Sequence, residues 1–377
     1  MRLSTVILAR DEAATIGAAI ASVRAISDEV VVCVDPRTID DTTAVAEAAG
    51  ARVGSFDTWP GMEQARNMSL DACGAPWALM LDGHEVLDRG HETIRRLVEH
   101  DRPDRPPWLS LLLVTSEREG GVVAPVPRLV HRDSVQIGGE EHPLPRARVG
   151  GTGGSLLADC LLRHDDPKSD TAQYAARQSE RFERMVATHL GAGHEDGTAR
   201  TPFIVEAAYS EGVFHFAASY GAGWVSGPGK QAQPERRMFV GCIAAAAFLA
   251  MGDVESALRL AREMVGDYPG YPRSWIALGD ACLDGSSPQH AVQAYLTATR
   301  CPDPRFGWYR RRDNTWLPHT RLALTALRSA SIEAATTHLA DAIGACYDPP
   351  TSARLSAIGT TAQRDSTAAM RELAGLG

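Results

Sequence analysis

The stretch WALMLDGHE, residues 77–85, decides how the first half of this chain folds. An uninterrupted apolar run stops abruptly at an acid, a glycine, a histidine and a second acid. A run of this length predicts a strand that is buried on both faces of a parallel sheet. Ligands of open α/β sheets bind beyond the carboxyl ends of such strands. The polar residues Asp82, Gly83, His84 and Glu85 therefore lie where a metal ion or a phosphate would bind, although an ordinary solvated turn has the same pattern.

The chain before this stretch alternates strands with helices. Strands are predicted at residues 3–9, 29–34 and 51–56, and helices at 14–25, 43–49 and 64–73. Short links between such elements are typical of a parallel sheet with right-handed crossovers. The sequence has no Gly-x-Gly-x-x-Gly after the first strand and no Gly-x-x-x-x-Gly-Lys-Ser/Thr motif. Dinucleotide and P-loop chemistry are therefore disfavoured.

Composition narrows the class of protein. The 377 residues are enough for two domains, and a net charge of −9 disfavours a nucleic-acid or acidic-membrane partner. Seven cysteines without a Cys-x-x-Cys pair indicate a reducing compartment, with neither a disulfide framework nor a cysteine-based zinc site. The first apolar run is too short for a signal peptide, and the longest later one, residues 241–251, is too short for a membrane span. We expect a cytoplasmic protein without a membrane span.

Four motifs, in this order along the chain, resemble those of family 2 glycosyltransferases, which have the GT-A fold. They are Ala9-Arg10-Asp11-Glu12, then residues 35–42, then Gln64-Ala65-Arg66-Asn67, then residues 81–85. In the family the second motif is Asp-x-x-Ser-x-Asp-x-Thr, and here Thr38 replaces the serine. The family's metal motif is Asp-x-Asp-Glu, and here His84 replaces the second aspartate. Residues 127–130 and 138–142 resemble the segment beside the acceptor, and residues 161–164 the strand with a late histidine.

The resemblance covers residues 3–190 and implies an α/β fold: a Rossmann-like GT-A domain at residues 1–190, with a mostly parallel sheet and helices on both faces. Residues 191–236 are rich in Gly, Ser and Pro and predict a lid or linker. Residues 237–377 are alanine-rich, and their large and small positions, with Ala257 and Ala291 as one matching pair, resemble tetratricopeptide (TPR) repeats. Such an all-α domain often binds peptides, but it can equally serve packing or a homodimer.

Transfer from a nucleotide sugar requires a cation near the departing diphosphate. A divalent ion can act there as a Lewis acid. We expect Asp82 and His164 as its ligands, with His84 as a third. A carboxylate suits Mg²⁺ or Mn²⁺, whereas an imidazole favours Mn²⁺. The replacement by His84 also allows a weakened metal site or catalysis without metal.

The same resemblance implies which residues bind the nucleotide. Asp35 is expected at the uracil or ribose, together with Asp40, although Asp40 or Asp41 could instead cap the following helix. Arg66 suits either a phosphate or an ion pair that holds Asp35, and an exposed helical arginine is the alternative. The other residues expected at the nucleotide are Ala9, Arg10, Glu12, Asp82 and Gly83.

The catalytic base is the least specified part of the site. Single displacement needs a carboxylate or a histidine within reach of the acceptor hydroxyl. Glu140, Glu141 and His142 form one candidate cluster, since two adjacent acids can raise a pKa, although such a loop is often merely solvated. Glu85 is the competing candidate, or it orients the groups around the metal.

The leading hypothesis is a glycosyltransferase that uses a UDP-sugar, with a peptide, a natural product or a glycan as acceptor. Inversion by single displacement is what the resemblance implies. One alternative is a catalytically altered GT-A fold that binds nucleotide and acts as a scaffold through its helical repeats. A nucleotidyltransferase ranks last, because the first strand is not followed by a glycine-rich phosphate loop.

Overall fold

In a computed structural model of the protein, the chain divides into two units, Met1–Arg177 and Gln178–Gly377. The residues described are 1–100, 105–115, 121–139, 144–148, 154–164, 166–167, 180, 182–184, 186–187, 197–302, 309–346 and 348–376. The predicted domain limits near residues 190 and 236 remain predictions.

The first half of the N-terminal unit is a parallel sheet. Strands β1 (Leu3–Ala9), β2 (Glu29–Val34), β3 (Arg52–Ser55) and β4 (Trp77–Asp82) pair in the order β3-β2-β1-β4. Every residue of β1 is buried, as in a strand covered on both faces. One face packs on helices α1 (Ile16–Val23) and α2 (Thr42–Ala48), and the other packs on α3 (Met62–Asp71). The predicted mostly parallel sheet with helices on both faces is confirmed here.

The second half of the sheet is mixed. It adds β5 (Glu85–Arg89), β6 (Trp108–Thr115), β7 (Val122–His131) and β10 (Ser155–His164), in the order β4-β7-β6-β10-β5. Strand β7 is antiparallel to β4 and β6, β10 is parallel to β6, and β5 is antiparallel to β10. Helix α4 (His91–Glu99) follows β5.

The sequence predicts a loop at residues 145–154, whereas residues 144–147 are a strand of a separate two-stranded sheet. Strands β8 (Val135–Gly138) and β9 (Leu144–Ala147) pair antiparallel. The side chain of Asn67 on α3 accepts a hydrogen bond from the Ile137 N–H (2.9 Å) and donates one to the Ile137 carbonyl (2.8 Å). A polar side chain distant in sequence thus holds the small sheet in place, and local patterning did not indicate this contact.

The C-terminal unit is mostly helical in its described part, with one short strand at Tyr309–Arg310. Its helices are α5 (Gly197–Ser210), α6 (Phe214–Ser226), α7 (Pro234–Ala250), α8 (Val254–Asp267), α9 (Pro272–Asp284), α10 (Pro288–Ala298), α11 (Leu317–Arg328), α12 (Ile332–Ala345), α13 (Pro349–Ala362) and α14 (Ser366–Ala374). No helix among the described residues has the length and apolar character needed to cross a membrane. The sequence also predicts a helix at residues 171–190, most of which lie outside the described residues.

Two of these helices occupy much of the stretch in which a lid or linker was predicted. Helices α5 and α6 lie within residues 191–236, and Gly221 explains why the glycines were misleading. A Cβ atom at Gly221 would lie 2.9 Å from the Cβ of Ala244 on α7 and 3.3 Å from Val205 on α5. This glycine therefore permits close helix packing and does not mark a flexible link.

The predicted pairing of small and large residues is present between α9 and α10. A Cβ atom at Gly279 would lie 2.3 Å from the Cε1 of Tyr295, which is fully buried and donates a 2.7 Å hydrogen bond to Asp280. Because the ring cannot move without breaking that bond, we expect Gly279→Ala to lower the free energy of unfolding of the C-terminal unit by about 1–3 kcal/mol. Urea unfolding followed by circular dichroism measures the change.

Gly266→Ala on α8 is the matched control for this substitution. A Cβ atom at Gly266 would meet no atom of the described residues within 4 Å, so helix propensity alone predicts a gain in stability of up to about 1 kcal/mol. Equal stability of the Gly279→Ala and Gly266→Ala variants would show that the contact with Tyr295 is not restrictive.

Candidate functional site

The carboxyl ends of three parallel strands meet at one edge of the sheet. Ala9 at the end of β1 pairs with Val34 on β2, and Leu8 pairs with Asp82 on β4. Neighbouring strands are separated by about 4.8 Å, so the ends of β2 and β4 lie roughly 10 Å apart with β1 between them. Asp35 and Asp82 therefore emerge on either side of β1.

Asp35, directly after β2, is a buried carboxylate held by one arginine. Its Oδ1 accepts hydrogen bonds from the backbone N–H and the Nε of Arg37 (both 2.9 Å), and its Oδ2 accepts one from Nη2 (2.5 Å). Burial raises the pKa of Asp35, but the bonds and charge of Arg37 outweigh it and hold the pKa below its ordinary value. The guanidinium of Arg37 lies 4.7 Å from the ring centre of Trp59. The prediction that Arg66 holds Asp35 is wrong, because Arg37 does so.

Asp40 makes local contacts with both carboxylate oxygens. Its Oδ1 accepts hydrogen bonds from the N–H of Thr42 (3.0 Å) and from the Thr42 hydroxyl, and its Oδ2 accepts one from the N–H of Ala13 (2.9 Å). Thr42 in turn accepts a 2.7 Å bond from the N–H of Glu12. These bonds fix the loop after β1 against the start of α2, whose N-cap residue is Asp41.

Asp82 lies between two arginines at the end of β4. Arg66 on α3 donates to its Oδ1 and also to the Leu81 carbonyl (3.3 Å), and Arg128 on β7 donates to its Oδ2 (3.2 Å). Burial raises the pKa of Asp82, but the charges of Arg66 and Arg128 hold it well below its ordinary value. With its pKa lowered, the carboxylate is ionised near neutral pH. Its side chain is 27% exposed, so it remains accessible from outside the sheet.

Glu85 is a fully buried acid at the start of β5. Its Oε1 accepts a 2.5 Å bond from Arg128 and lies 3.4 Å from the Nδ1 of His164, while its Oε2 accepts the N–H of Asp82 (3.0 Å). Burial raises the pKa of Glu85, yet the charge of Arg128 and the contact with His164 hold it at about 2. A carboxylate with so low a pKa is a poor general base near neutral pH. These contacts favour the alternative role of Glu85, in which it orients the groups around the proposed metal.

Two histidines, each in contact with a carboxylate, lie side by side. His84 approaches Glu12 through Nδ1 (3.0 Å), His164 approaches Glu85 through Nδ1, and the two rings are 4.5 Å apart and perpendicular. Burial lowers the pKa of His84, but the bond to Glu12 outweighs it and raises the pKa overall. A carboxylate at one ring nitrogen is the usual arrangement for a histidine that binds a metal through the other.

Gly83 allows the turn between β4 and β5 to approach Glu12. A Cβ atom at this position would lie 2.6 Å from the Cγ of Glu12, which itself contacts His84. The N–H of Gly83 donates to the carbonyl of Leu8 on β1 (3.2 Å). The glycine is thus required by close packing at the strand ends.

Ala9 ends β1, and Arg10 follows it with a 3.8 Å contact to Asp11.

The site brings together residue types that ligate divalent ions, although their ligand atoms do not converge to the spacing of a preformed metal centre. An ionised carboxylate has about four acceptor positions, and Arg66 and Arg128 use two on Asp82. The acids Glu12, Asp82 and Glu85 outnumber these two guanidinium groups by one negative charge. Asp82, with imidazole nitrogens of His84 and His164 beside it, therefore offers a mixed N/O donor set, which suits Mn²⁺ better than Mg²⁺.

Two arginines of this region were not among the predicted site residues. Arg37 holds Asp35, and Arg128 bridges Asp82 and Glu85. Arg128 could have been found from the sequence, because it is a charged residue within the otherwise mostly apolar strand β7. The predicted bases Glu140, Glu141 and His142 lie outside the described residues.

Residues 4–106 match the model of the family described as Glycosyl transferase family 2. The N-terminal unit carries a family 2 glycosyltransferase domain. This match spans β1 to α4, with Asp35, Asp82 and Glu85, and so includes most of the site described above. The family resemblance noted in the sequence is confirmed.

Known proteins resemble parts of the chain. An uncharacterized glycosyltransferase of Rickettsia felis is 39% identical over 88 residues, 23% of this chain and 30% of that protein. A TPR repeat-containing protein of Synechococcus elongatus is 32% identical over 124 residues, 32% of this chain and 29% of that protein. The chain thus spans less than a third of the length of either curated relative.

Among solved structures, glucosyl-3-phosphoglycerate synthase of Mycobacterium tuberculosis, in complex with Mn²⁺, UDP and phosphoglyceric acid, is 25% identical. The match covers 29% of this chain and 43% of the synthase, with a TM-score of 0.26. A TM-score of this size carries no conclusion about the ligands of this chain.

Proposed function

We propose that the protein is a glycosyltransferase that transfers a sugar from a nucleotide sugar, with UDP as the nucleotide, to a peptide, natural-product or glycan acceptor. The observation that carries this proposal is the set of charged residues at the ends of β1, β2 and β4, within the segment that matches the family model. A cytoplasmic location and a homodimer through the helical unit remain predictions.

At the nucleotide end of the site, Asp35 is the proposed contact for the base or ribose. Arg37 holds this carboxylate in one orientation through three hydrogen bonds, and the guanidinium of Arg37 lies against the ring of Trp59. An acceptor held in this way loses little conformational entropy when a uracil N–H or a ribose hydroxyl binds to it. Arg10 and Glu12 are proposed to flank the same entrance.

At the phosphate end, Arg66 and Arg128 hold Asp82 in place, and both guanidinium groups add positive charge near the proposed diphosphate. Asp82, His84 and His164 are the proposed ligands of a Mn²⁺ or Mg²⁺ ion. When bound, such an ion would neutralise the departing diphosphate as a Lewis acid. Glu12 and Glu85 orient the two imidazoles through Nδ1, as carboxylates around metal-binding histidines do.

The proposed transfer is a single displacement with inversion. The acceptor hydroxyl oxygen bonds to the anomeric carbon, the bond from that carbon to the phosphate oxygen breaks, and UDP leaves with the electron pair. The hydroxyl proton passes to a base, for which Glu140, Glu141 and His142 remain the proposed candidates. Glu85 is not proposed for this step, because its carboxylate is ion-paired and fully buried.

A second candidate function is nucleotide binding without transfer, with the helical unit as an interaction scaffold. The observation that favours it is the engagement of Asp82 by two arginines, which together compensate the charge that would attract a metal ion. Release of UDP from a UDP-sugar, measured with and without Mn²⁺, separates the two candidates. Turnover supports the transferase, whereas thermal stabilisation by UDP without turnover supports the scaffold.

Thermal denaturation in the presence of nucleotide sugars tests the proposed nucleotide site. We expect UDP-sugars to raise the melting temperature, and we expect Asp35→Ala to weaken UDP binding at least about tenfold, because it removes a charged hydrogen-bond acceptor. Asp57→Ala, at an exposed aspartate outside the site, is the matched control. Equal UDP affinity of the Asp35→Ala and Asp57→Ala variants would remove Asp35 from the site.

A further inference from the structure

Three potential metal ligands come together in the C-terminal unit, outside the matched family segment. His319 lies in the first turn of α11, and His338 and Asp341 lie on α12. A spacing of three residues places His338 and Asp341 on the same side of their helix. The two helices share one apolar core that includes Leu324 and Leu339, so their relative position is set by packing.

The distances within this triad are unusual for hydrogen bonds. The Nδ1 atoms of His319 and His338 lie 3.8 and 3.9 Å from the same oxygen, Oδ2 of Asp341. Both distances exceed the hydrogen-bond range of about 2.7–3.2 Å. Ligands at about 2.1 Å from a tetrahedral ion are roughly 3.4 Å apart. One ligand atom from each residue lies within 4.8 Å of the others, so small side-chain rotations would bring all three to that spacing.

Each of the two imidazoles also has a buried nitrogen whose hydrogen-bonding capacity is unused among the described residues. The Nδ1 atoms of His319 and His338 are inaccessible to solvent and have no hydrogen-bond partner among the residues that the structure describes. A buried polar atom without a partner is costly and requires an explanation. Burial lowers the pKa of each imidazole, although the charge of Asp341 opposes the shift, and this favours the neutral form that ligates metals.

We infer that His319, His338 and Asp341 bind one transition-metal ion, with Zn²⁺ as the best match. Two imidazole nitrogens and one carboxylate oxygen suit Zn²⁺ or Co²⁺, whereas Mg²⁺ and Ca²⁺ prefer oxygen ligands. The carboxylate of Asp341 is half-exposed, which gives an ion access from solvent. Bound there, the ion links α11 to α12. This site is independent of the proposed transferase function.

Metal titration of the full-length protein tests the site directly. We expect isothermal titration calorimetry to show one Zn²⁺ ion bound at this site. His338→Ala and Asp341→Asn should each lower the affinity of the site for Zn²⁺ at least about tenfold. Co²⁺ bound to the same residues should give visible d–d absorption, which the variants lose. Zn²⁺ should raise the melting temperature of the wild type by about 5 °C, and Mg²⁺ should not.

The controls separate this site from other metal ligands and from loss of fold. His215→Ala removes an exposed histidine elsewhere in the unit and should bind Zn²⁺ like the wild type. The Asp82→Asn variant should keep the equivalent that Asp341→Asn loses, which excludes the N-terminal site as its source. Asp341 is 52% exposed, so Asp341→Asn should leave the fold intact. This variant therefore tests the proposed Zn²⁺ site even if His338→Ala does not fold. Unchanged Zn²⁺ binding by Asp341→Asn would overturn the inference.

Discussion

Glu85→Ala is expected to lower the free energy of unfolding of the N-terminal unit by about 3–5 kcal/mol, the largest loss of stability predicted for this protein. Glu85 is fully buried and accepts hydrogen bonds from Arg128 and from the backbone of Asp82. Its removal leaves the Arg128 guanidinium with one carboxylate partner in place of two and leaves the Asp82 N–H without an acceptor. Breaking a buried ion pair costs more than the pair itself contributes, because the remaining charge stays desolvated.

Urea unfolding at neutral pH measures this loss, and Asp88→Ala is its matched control. Asp88 lies on the same strand with an exposed side chain, so its removal should change stability by less than about 0.5 kcal/mol. Adding Arg128→Met to Glu85→Ala should restore part of the stability, because it removes a buried cation that has lost the closer of its two carboxylate partners. A Glu85→Ala variant as stable as Asp88→Ala would contradict the ion-pair assignment.

The pKa of Glu85 adds a pH dependence to the same result. Folding lowers this pKa from 4.5 to about 2, so the folded state favours the ionised carboxylate. The stabilisation is fully present above about pH 4.5 and is lost as the pH falls towards 2. The difference in stability between wild type and Glu85→Gln should therefore shrink over this pH window.

Asp82→Asn is expected to lower the rate of UDP release from a UDP-sugar by roughly 10²–10³-fold. The amide keeps the shape of the side chain but removes the charge that pairs with Arg66 and Arg128 and, under the proposed function, binds the metal. The ion-dependent part of the thermal stabilisation by UDP-sugars should disappear with it. A coupled assay for UDP, with and without Mn²⁺, measures both the rate and its ion dependence.

Two comparisons make the Asp82→Asn result interpretable. Asp88→Asn should keep wild-type turnover, and a circular dichroism spectrum should show that Asp82→Asn remains folded. Ion-dependent turnover retained by the Asp82→Asn variant would exclude Asp82 as a metal ligand. Turnover without any ion dependence in the wild type would instead indicate that Arg66 and Arg128 supply the positive charge alone.

Much of the first half of the fold was predictable from short-range patterns. The strands at residues 3–9 and 29–34 have the predicted bounds. A continuous apolar run that ends at polar residues is stable as a strand buried between two layers of helices, so the run also marks the ends of the strand. Glycines predicted the structure less reliably than apolar runs did. The glycines of residues 191–236 suggested a lid or linker, whereas Gly221 lies where helices pack closely. Glycine frees the backbone and also lets helices approach, and only the neighbouring residues distinguish these uses.

The sequence by itself determined which residues end the strands of the parallel sheet and the family of its N-terminal domain, because both depend on short motifs and local periodicity. The tertiary structure decided which charges compensate each other. Arg66 and Arg128 are 16 and 46 residues from Asp82, and they reach it only because α3 packs on the sheet and β7 pairs with β4. Ion pairs depend on distance in space, which no local pattern of residues encodes.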